Sequence, residues 1–242
     1  MPTLLVVGAT SDIARETARI FLKNGWDLRL AAKNPEKLEA LATALGESGA
    51  GKITLHHHDV LEEDKLTNLW EETDPKPDAL LVSVGFLGDR TLANDPDFVL
   101  KVTRINYLNL LPVITLAGAH YEKVGKGSVI GIASVAGDRA RASNYPYGAA
   151  KAGFSAFLAG LRNRLFHKGV HVMTVKPGYV RTAMTEGLKI PGILTTTPEK
   201  AAKDIYRGFV KKRSVVYTAW YWRWIMLFVR ILPEFVFKRT KF

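Results

Sequence analysis

The chain has no cysteine among its 242 residues. A disulfide framework and thiolate catalysis are therefore excluded, and the composition suits a reducing cytoplasm. The apolar run that predicts the first strand begins at Thr3, which leaves no room for a signal peptide before it, so we expect a cytoplasmic protein. Long Pro/Gly/Ser-rich linkers, internal repeats and low-complexity tracts are also missing, which favours one principal domain.

Acidic residues are scarce relative to basic ones. The chain has 34 Lys and Arg against 23 Asp and Glu, a formal net charge of +11. Such a charge suits nucleic acid or an anionic membrane surface as partner. The basic residues form no recognisable nucleic-acid-reading motif, so we expect no nucleic-acid partner. The C-terminal segment, residues 219–242, favours the membrane alternative.

This segment lacks an apolar run long enough to span a bilayer. The stretch from Ile225 to Leu232 contains Arg230 and ends at Pro233, well short of the ~20 residues that a span requires. Three of the chain's five tryptophans lie in the segment among Arg and Lys, a composition typical of an interfacial helix. Two alternatives stay open: peripheral contact with the inner face of the cytoplasmic membrane, or burial in a homo-oligomer interface.

Strand-like and helix-like runs alternate along residues 1–218. This alternation predicts an α/β fold with a doubly wound parallel sheet, followed by residues 219–242 as an amphipathic, aromatic and basic helix. Long helices are predicted at about 96–122 and 145–167. Three consecutive histidines, His56 to His58, lie on a predicted strand, where alternate side chains face opposite ways, so we expect no metal site there.

A tight turn follows the first predicted strand and reads Gly8-Ala-Thr-Ser-Asp-Ile-Ala14. A strand, a turn and a helix N-terminus direct free backbone N–H groups and the helix dipole at an anion. Asp12 and Ala14 stand where glycines are usual in such loops. The turn therefore predicts either a phosphate site or an ordinary strand–helix turn with Ser11 or Asp12 as N-cap.

Tyr147 and Lys151 lie one turn apart on the same face of the helix predicted at 145–167. An ammonium beside a phenol favours the phenolate, so we expect Lys151 to lower the pKa of Tyr147 and make it a usable proton donor. Ser134 follows the apolar run 128–133 and would stand at the carboxyl end of a buried strand. In an open α/β sheet that end faces the ligand crevice.

These motifs, with Asp59, Asn106, Pro177-Gly178 and Thr182, resemble the short-chain dehydrogenase/reductase family over about residues 3–218. The resemblance implies a Rossmann-type sheet of about seven strands, hydride transfer with a nicotinamide cofactor, and a homo-oligomer assembled through the two long helices. One motif departs from the family: Ser83-Val-Gly-Phe86 shares only Gly85 with the usual Asn-Asn-Ala-Gly.

The resemblance also implies residue roles. Tyr147 would donate a proton to a carbonyl oxygen that Ser134 holds, Lys151 would bond the nicotinamide ribose, and Asn106 would hold a relay water or be only a capping or surface residue. Asp59 would accept from the adenine amino group or cap a helix beginning at Leu61. The implied cofactor contacts are Gly8, Thr10, Ser11, Asp12, Ile13, Lys33, Asp59, Val60, Gly85, Tyr147, Lys151, Pro177, Gly178, Val180 and Thr182.

Cofactor choice is predicted from the end of the second strand, where Ala31 and Ala32 offer no carboxylate and Lys33 offers a cation. A carboxylate there would bind the ribose 2′-hydroxyl of NAD, whereas a cation suits the 2′-phosphate of NADP. We therefore expect NADPH, with NADH as the alternative. Arg15 would add a second positive charge or lie in solvent.

Several further segments resemble one subgroup, the keto-reductase component of the decaprenylphosphoryl-ribose 2′-epimerase system: 85–89, 105–107, 134–139, 141–145, 177–182 and 221–233. This resemblance implies a polyprenyl-phospho keto-sugar as substrate and a flavin oxidase as partner. Arg139 and Arg141 would grip the substrate phosphate or lie in a solvated loop. The alternative functions are a reductase of lipid or steroid-like ketones and a non-catalytic cofactor-sensing protein.

Overall fold

Strands and helices alternate along the computed structural model, which describes residues 1–62, 65–187 and 191–240. The strands are β1 (Thr3–Val7), β2 (Asp27–Ala32), β3 (Ile53–His57), β4 (Ala79–Val82), β5 (Gly127–Ile132), β6 (Val170–Pro177), β7 (Tyr179–Val180), β8 (Thr195–Thr196) and β9 (Val215–Thr218). The helices are α1 (Asp12–Lys23), α2 (Pro35–Gly46), α3 (Lys65–Glu72), α4 (Pro96–Asn106), α5 (Leu111–Val124), α6 (Tyr145–Leu165), α7 (Pro198–Val210), α8 (Trp222–Ile231) and α9 (Glu234–Phe237).

Seven strands form one parallel sheet in the order β3-β2-β1-β4-β5-β6-β9, and β7 pairs with β8 separately. The order of strands reverses between β1 and β4, which pair in parallel with Val7 opposite Val82. A reversal of this kind leaves a crevice at the carboxyl ends of the strands. The predicted doubly wound sheet of about seven strands is confirmed.

The core lies on both faces of the sheet. In β1, Leu4 and Val6 pack into the cluster that contains Phe21 of α1, whereas Leu5 and Val7 pack into the cluster that contains Phe154 of α6. Each strand position is thus buried by helices on one side or the other. This explains why the strands read as continuous apolar runs instead of alternating with polar residues.

The helix predicted at about 96–122 is two helices, which corrects the sequence-based prediction. α4 ends at Asn106, Tyr107 has non-helical backbone angles, and a short 3₁₀ turn at Leu108–Leu110 precedes α5. Pro112 lies in the first turn of α5, where its missing N–H costs nothing, but in a continuous helix it would clash with the preceding turn. The prediction at 145–167 is confirmed by α6.

The single helix predicted over residues 219–242 is two short helices, α8 and α9, because the chain leaves the helical conformation at Leu232, before Pro233. Residues 241–242 lie outside the described residues. Trp222 and Met226 of α8 are buried and pack against Val135 in a third apolar cluster. The other face of α8 is exposed, with Phe228 67% and Ile231 70% accessible. Within residues 1–62, 65–187 and 191–240, no helix has both the length and the apolarity to cross a bilayer.

Replacement of Gly178 by alanine is expected to displace α8. A Cβ at Gly178 would lie 1.9 Å from Nε1 of Trp222, so the indole must move. Overpacking of this kind costs about 1–3 kcal/mol, and we expect Gly178→Ala to lower the melting temperature by roughly 2–10 °C. It should also speed tryptic cleavage after Arg223 and Arg230.

Gly160 in α6 provides the matched control, because a Cβ there meets no atom within 4 Å. Gly160→Ala should leave the melting temperature unchanged or raise it slightly. Equal melting temperatures and equal tryptic cleavage for Gly178→Ala and wild type would contradict the packing of Trp222 on Gly178.

Candidate active site

A cavity of about 1370 Å³ opens at the carboxyl edge of the sheet, in the crevice that the strand order predicts. It is bordered by the loops that follow β1, β2, β3, β4, β5 and β6. Of the predicted site residues, the following line it: Gly8, Thr10, Ser11, Asp12, Ile13, Lys33, Asp59, Val60, Gly85, Ser134, Arg141, Tyr147, Lys151, Pro177, Gly178, Val180 and Thr182. Among the described residues, Asn106 and Arg139 are the two predicted members outside this lining.

The first turn approaches the neighbouring loop so closely that it requires glycine. Gly8 has φ +80°, and a Cβ there would lie 2.8 Å from the carbonyl oxygen of Ser83. Ser11 caps α1 by accepting from the Ala14 N–H at 3.2 Å, and its Oγ lies 2.8 Å from Oγ of Ser83. The serine that departs from the family motif is therefore bonded to the phosphate-type turn, and the N-terminus of α1 faces the cavity.

Asp12 and Thr182 lie where the start of α1 meets the turn at Ala183–Thr185, on the border of the cavity. Asp12 Oδ2 accepts from the Ala183 N–H at 3.0 Å, which ties the start of α1 to the turn at Ala183–Thr185. The N–H of Thr182 donates to Oγ1 of Thr185 at 3.1 Å. Asp12, which replaces a glycine of the usual motif, thus joins the two loops across the cavity.

Ser134, Tyr147 and Lys151 meet at the end of β5. The Ser134 side chain is hydrogen-bonded to Tyr147, and its Oγ also accepts from the Ala136 N–H at 3.1 Å. Lys151 is 2% exposed, and its Nζ donates to the carbonyl oxygens of Val84 at 3.0 Å and Ile132 at 3.1 Å. The expectation that these three side chains share one sheet edge is met.

The acid–base properties of the pair differ from the expected ones. Burial raises the pKa of Tyr147, and the Ser134 hydrogen bond opposes this only in part. Burial lowers the pKa of Lys151 to about 7. The two carbonyls hold Nζ 5.9 Å from the centre of the Tyr147 ring, which corrects the expectation that Lys151 lowers the pKa of this phenol: in this geometry the phenol stays protonated at neutral pH.

Asn106 is fully buried at the end of α4 and acts on the loop that lines the cavity. Its Oδ1 accepts from the Phe86 N–H at 3.0 Å, and its Nδ2 donates to the carbonyl oxygens of Phe86 at 2.8 Å and Val102 at 2.9 Å. Asn106 thereby fixes the backbone beside Gly85. The surface alternative for Asn106 is wrong because the side chain is fully buried. Its bond to a carbonyl in the last turn of α4 leaves the capping alternative open, and its role in a water relay stays a prediction.

Lys33 and Asp59 are paired rather than separate. Lys33 Nζ lies 3.3 Å from Asp59 Oδ2, and Asp59 Oδ1 accepts from the Leu61 N–H at 3.0 Å. Since α3 begins at Lys65, Asp59 caps no helix at Leu61. Lys37, in the first turn of α2, lines the same end of the cavity and was missed by the sequence analysis; the Asn34-Pro35 start of α2 was the signal that placed it there.

The two arginines after Ser134 have different surroundings. Arg139 points to the C-terminal segment, where Nη1 donates to the carbonyl oxygens of Val229 at 2.8 Å and Leu232 at 2.5 Å. The substrate role predicted for Arg139 is therefore corrected, because its guanidinium is occupied by a segment about 90 residues further along the chain. Arg141 lines the cavity and donates to Oη of Tyr179 at 3.2 Å.

Arg90 also lines the cavity and was missed by the sequence analysis. It begins the 3₁₀ turn Arg90–Asn94, which Tyr145 fixes by donating from Oη to the carbonyl oxygen of Ala93 at 2.6 Å. Of the three consecutive histidines, His57 bonds the carbonyl oxygen of Lys33 at 2.6 Å. In the described part of the chain, no three His, Cys, Asp or Glu side chains are placed as metal ligands would be.

The cavity, the parallel sheet and the Ser134–Tyr147–Lys151 group define a dinucleotide-dependent oxidoreductase. The family model described as short chain dehydrogenase matches residues 2–190, and the chain belongs to this family, whose members bind NAD(P). An uncharacterized oxidoreductase of Mycobacterium tuberculosis is 34% identical over 243 residues, covering 98% of this chain and 96% of the relative. An uncharacterized oxidoreductase of Streptomyces coelicolor is 33% identical, covering 98% and 95%.

Solved structures share the fold. A short-chain dehydrogenase from Sphingobium yanoikuyae in complex with NADPH superimposes with a TM-score of 0.80 at 22% identity, covering 97% of each chain. The actinorhodin polyketide ketoreductase with NADPH gives a TM-score of 0.76 at 25% identity, covering 85% of this chain and 89% of its own. The protein is thus a short-chain dehydrogenase/reductase with ketoreductases among its structural neighbours.

The buried Lys151 is expected to make stability depend on pH. Its pKa is about 7 in the folded protein and about 10.4 when unfolded. Between these values the unfolded chain binds more protons, so the contribution of Lys151 to the free energy of unfolding rises with pH. Below pH 7 both states carry the proton and the contribution is constant. The free energy of unfolding of wild type minus that of Lys151→Met should grow by about 3 kcal/mol from pH 7 to 9.5.

Urea unfolding at the two pH values measures this difference. Lys123→Met, at an exposed position of α5, is the surface control. If the difference in free energy of unfolding between wild type and Lys151→Met is the same at both pH values, or smaller at pH 9.5, burial does not lower the pKa of Lys151.

Proposed function

We propose that the protein is an NADPH-dependent reductase that converts a keto group to an alcohol on a lipid-linked, polyprenyl-phospho keto-sugar. The observation that carries the proposal is the hydrogen-bonded Ser134–Tyr147 pair above the buried Lys151, in a cavity at the sheet's carboxyl edge. Two hydroxyls with an ammonium behind them suit the oxygen of a carbonyl group, on which negative charge develops during reduction.

The bound nicotinamide would supply a hydride to the carbonyl carbon. Ser134 accepts from the Ala136 N–H, and its O–H, which bonds Tyr147 in this structure, would donate to the carbonyl oxygen of a bound substrate. Tyr147, held protonated because burial raises its pKa, gives its proton to the same oxygen, which completes the alcohol. Lys151 would bond the nicotinamide ribose, and Asn106 would keep the 85–86 loop in place.

The chain's residues fit the cofactor at two places. The pyrophosphate would lie against the turn at Gly8, which has no room for a Cβ, and against the N-terminus of α1. Pro177, Gly178 and Thr182 would lie along the nicotinamide end. At the adenosine end, Lys33 and Lys37 line the cavity, and Asp59 neutralises only the first. The second cation supports a 2′-phosphate and hence NADPH over NADH.

Two observations support a phosphorylated, lipid-linked substrate. Arg90 and Arg141 line the cavity together with Phe86, Leu87 and Met184, so cations and apolar side chains border one space. Guanidinium groups bind phosphate through parallel N–H donors. The resemblance of residues 85–89, 141–145 and 177–182 to the epimerase-system reductases points to the same class of keto-sugar, with a flavin oxidase as the partner that supplies it.

The exposed face of the C-terminal segment supports a membrane location for this substrate. Trp220, Trp224 and Phe228 are 71%, 58% and 67% exposed, and Arg223 and Arg230 lie on the same helix as the last two. Aromatic and basic side chains together bind the interface of an anionic bilayer. We therefore propose that the protein lies at the inner face of the cytoplasmic membrane, as a homo-oligomer by analogy with its family.

Turnover tests the proposed reaction. Oxidation of NADPH and of NADH is measured with a polyprenyl-phosphate keto-pentose and with a phosphate-free lipid ketone. We expect turnover of the phosphorylated sugar with NADPH, a decrease of at least about 10²-fold in Tyr147→Phe because its proton donor is gone, and a raised KM in Arg141→Ala.

Other outcomes assign other functions. Turnover of the lipid ketone alone would make the protein a general lipid carbonyl reductase, and an unchanged KM in Arg141→Ala would remove this residue from phosphate binding. Tight NADPH binding without turnover of either compound would favour the cofactor-sensing alternative.

Vesicle binding tests the membrane location. We expect the protein to sediment with phosphatidylglycerol vesicles, and Trp224→Ala/Phe228→Ala to weaken this at least tenfold, since each buried aromatic ring contributes about 1.5–3 kcal/mol. Phe166→Ala removes a ring that is 71% exposed outside the C-terminal segment and should bind as wild type does. Unchanged vesicle binding by the double variant, with a change in oligomeric state, would assign this face to a partner subunit instead.

A further inference from the structure

The loop that carries Ser134 is in direct contact with the C-terminal segment. Ser134 ends the extended chain after β5, and residues Val135–Gly137 form a 3₁₀ turn that Ser134 caps. Val135, the residue next to Ser134, is buried in the same apolar cluster as Trp222 and Met226 of α8. The environment of Ser134 therefore includes a part of the chain more than 85 residues away in sequence.

Arg139 makes the strongest connection between this loop and the C-terminal segment. Besides the two carbonyl oxygens at the end of α8, it binds Glu234 Oε2 through Nη2 at 2.8 Å, and its guanidinium lies 3.8 Å from the centre of the Phe237 ring. Its side chain is 15% exposed. These contacts satisfy C-terminal carbonyls of α8 that have no partner within the helix.

The other end of the same loop is fixed to the sheet. Asp138 accepts from Nζ of Lys176 in β6 and from Oη of Tyr217 in β9, the latter at 2.8 Å. The adjacent residues Asp138 and Arg139 thus hold the loop from opposite sides, one to the sheet and one to the C-terminal segment. Trp222 reinforces the second side by packing on Gly178, which lines the cavity.

We infer that the C-terminal segment positions the catalytic loop, and that Arg139 is the positioning residue through which it does so. The inference rests on the proposed function, in which Ser134 binds the carbonyl oxygen. The start of the loop packs closely on α6, where a Cβ at Gly137 would lie 2.7 Å from the carbonyl carbon of Lys151. Beyond Gly137, the contacts of Asp138 and Arg139 described above fix the course of the loop. A displacement of about 1 Å at a catalytic group can cost 10²-fold in rate.

Hydrogen exchange of the backbone amides tests the inference without a substrate. Ala136 and Gly137 donate to Ser134, so their exchange reports on the loop directly. In Arg139→Ala we expect exchange in residues 134–138 to become at least tenfold faster while the amides of β5 and β6 keep their protection. Arg164→Ala is the matched control, because it removes an arginine whose ion pair with Glu122, at 2.7 Å, joins α6 to α5.

Kinetics provides the second measurement. With a carbonyl compound that the protein reduces, Arg139→Ala should lower kcat at least fivefold and leave the KM for NADPH within twofold, because the cofactor residues are not moved. A merely structural role would lower the melting temperature and leave kcat of the folded protein unchanged. If the proposed substrate is not reduced, the exchange measurement alone tests the positioning role of Arg139. A failure of the proposed function is therefore distinguishable from a failure of this inference.

The inference is overturned if residues 134–138 exchange at the wild-type rate in Arg139→Ala and only residues 222–237 lose protection. It is equally overturned by an unchanged kcat in a variant whose C-terminal segment is released. Should Arg139→Ala fail to fold, Phe237→Ala replaces it: this change removes the ring beneath the guanidinium and keeps the hydrogen bonds of Arg139. Faster exchange in residues 134–138 is then the supporting result.

Discussion

The buried ammonium of Lys151 is the constraint on which the rest of the site depends. A cation that is 2% exposed must be compensated by acceptors, and here these are the carbonyl oxygens of Val84 and Ile132 at the ends of two neighbouring strands. Two acceptors in fixed positions determine where α6 lies against the sheet. Gly85 and Ser134 follow those carbonyls within one or two residues, so the same two bonds bring the loops of β4 and β5 beside Tyr147. The low pKa of Lys151 is the cost of this arrangement.

The parts of this arrangement that arise from local patterns could be predicted from the sequence. The i, i+4 spacing places Tyr147 and Lys151 on one face of α6, and the apolar runs place Gly8 and Ser134 at strand ends, which in a parallel sheet share an edge. The direction of the Tyr147 pKa could not be predicted in this way. It depends on how deeply the ring is buried and on where the carbonyls hold Nζ, and both are properties of the packed structure.

Contacts between distant segments account for the remaining differences. Lys33 looks like a free cation in sequence, but its pairing with Asp59 requires β2 and β3 to end side by side. Arg139 looks like a substrate ligand because it follows Ser134, yet its partners are on α8 and α9. The break between α4 and α5 had a local signal in Pro112, whereas the bonds between the Asn106 side chain and the backbone of Phe86 depend on where the loop after β4 lies.

The two faces of α8 explain its unusual composition. An apolar helix that only packed on the domain would need one apolar face, and an interfacial helix that only bound lipid would not need the buried Trp222 and Met226. α8 has apolar side chains on both faces, and its exposed aromatic rings lie one turn or less from the buried ones. Val135 and Arg139 are in contact with the same helix that carries the exposed rings. One face of α8 is the surface that would meet the bilayer, and the opposite face packs on the loop that would meet the carbonyl group.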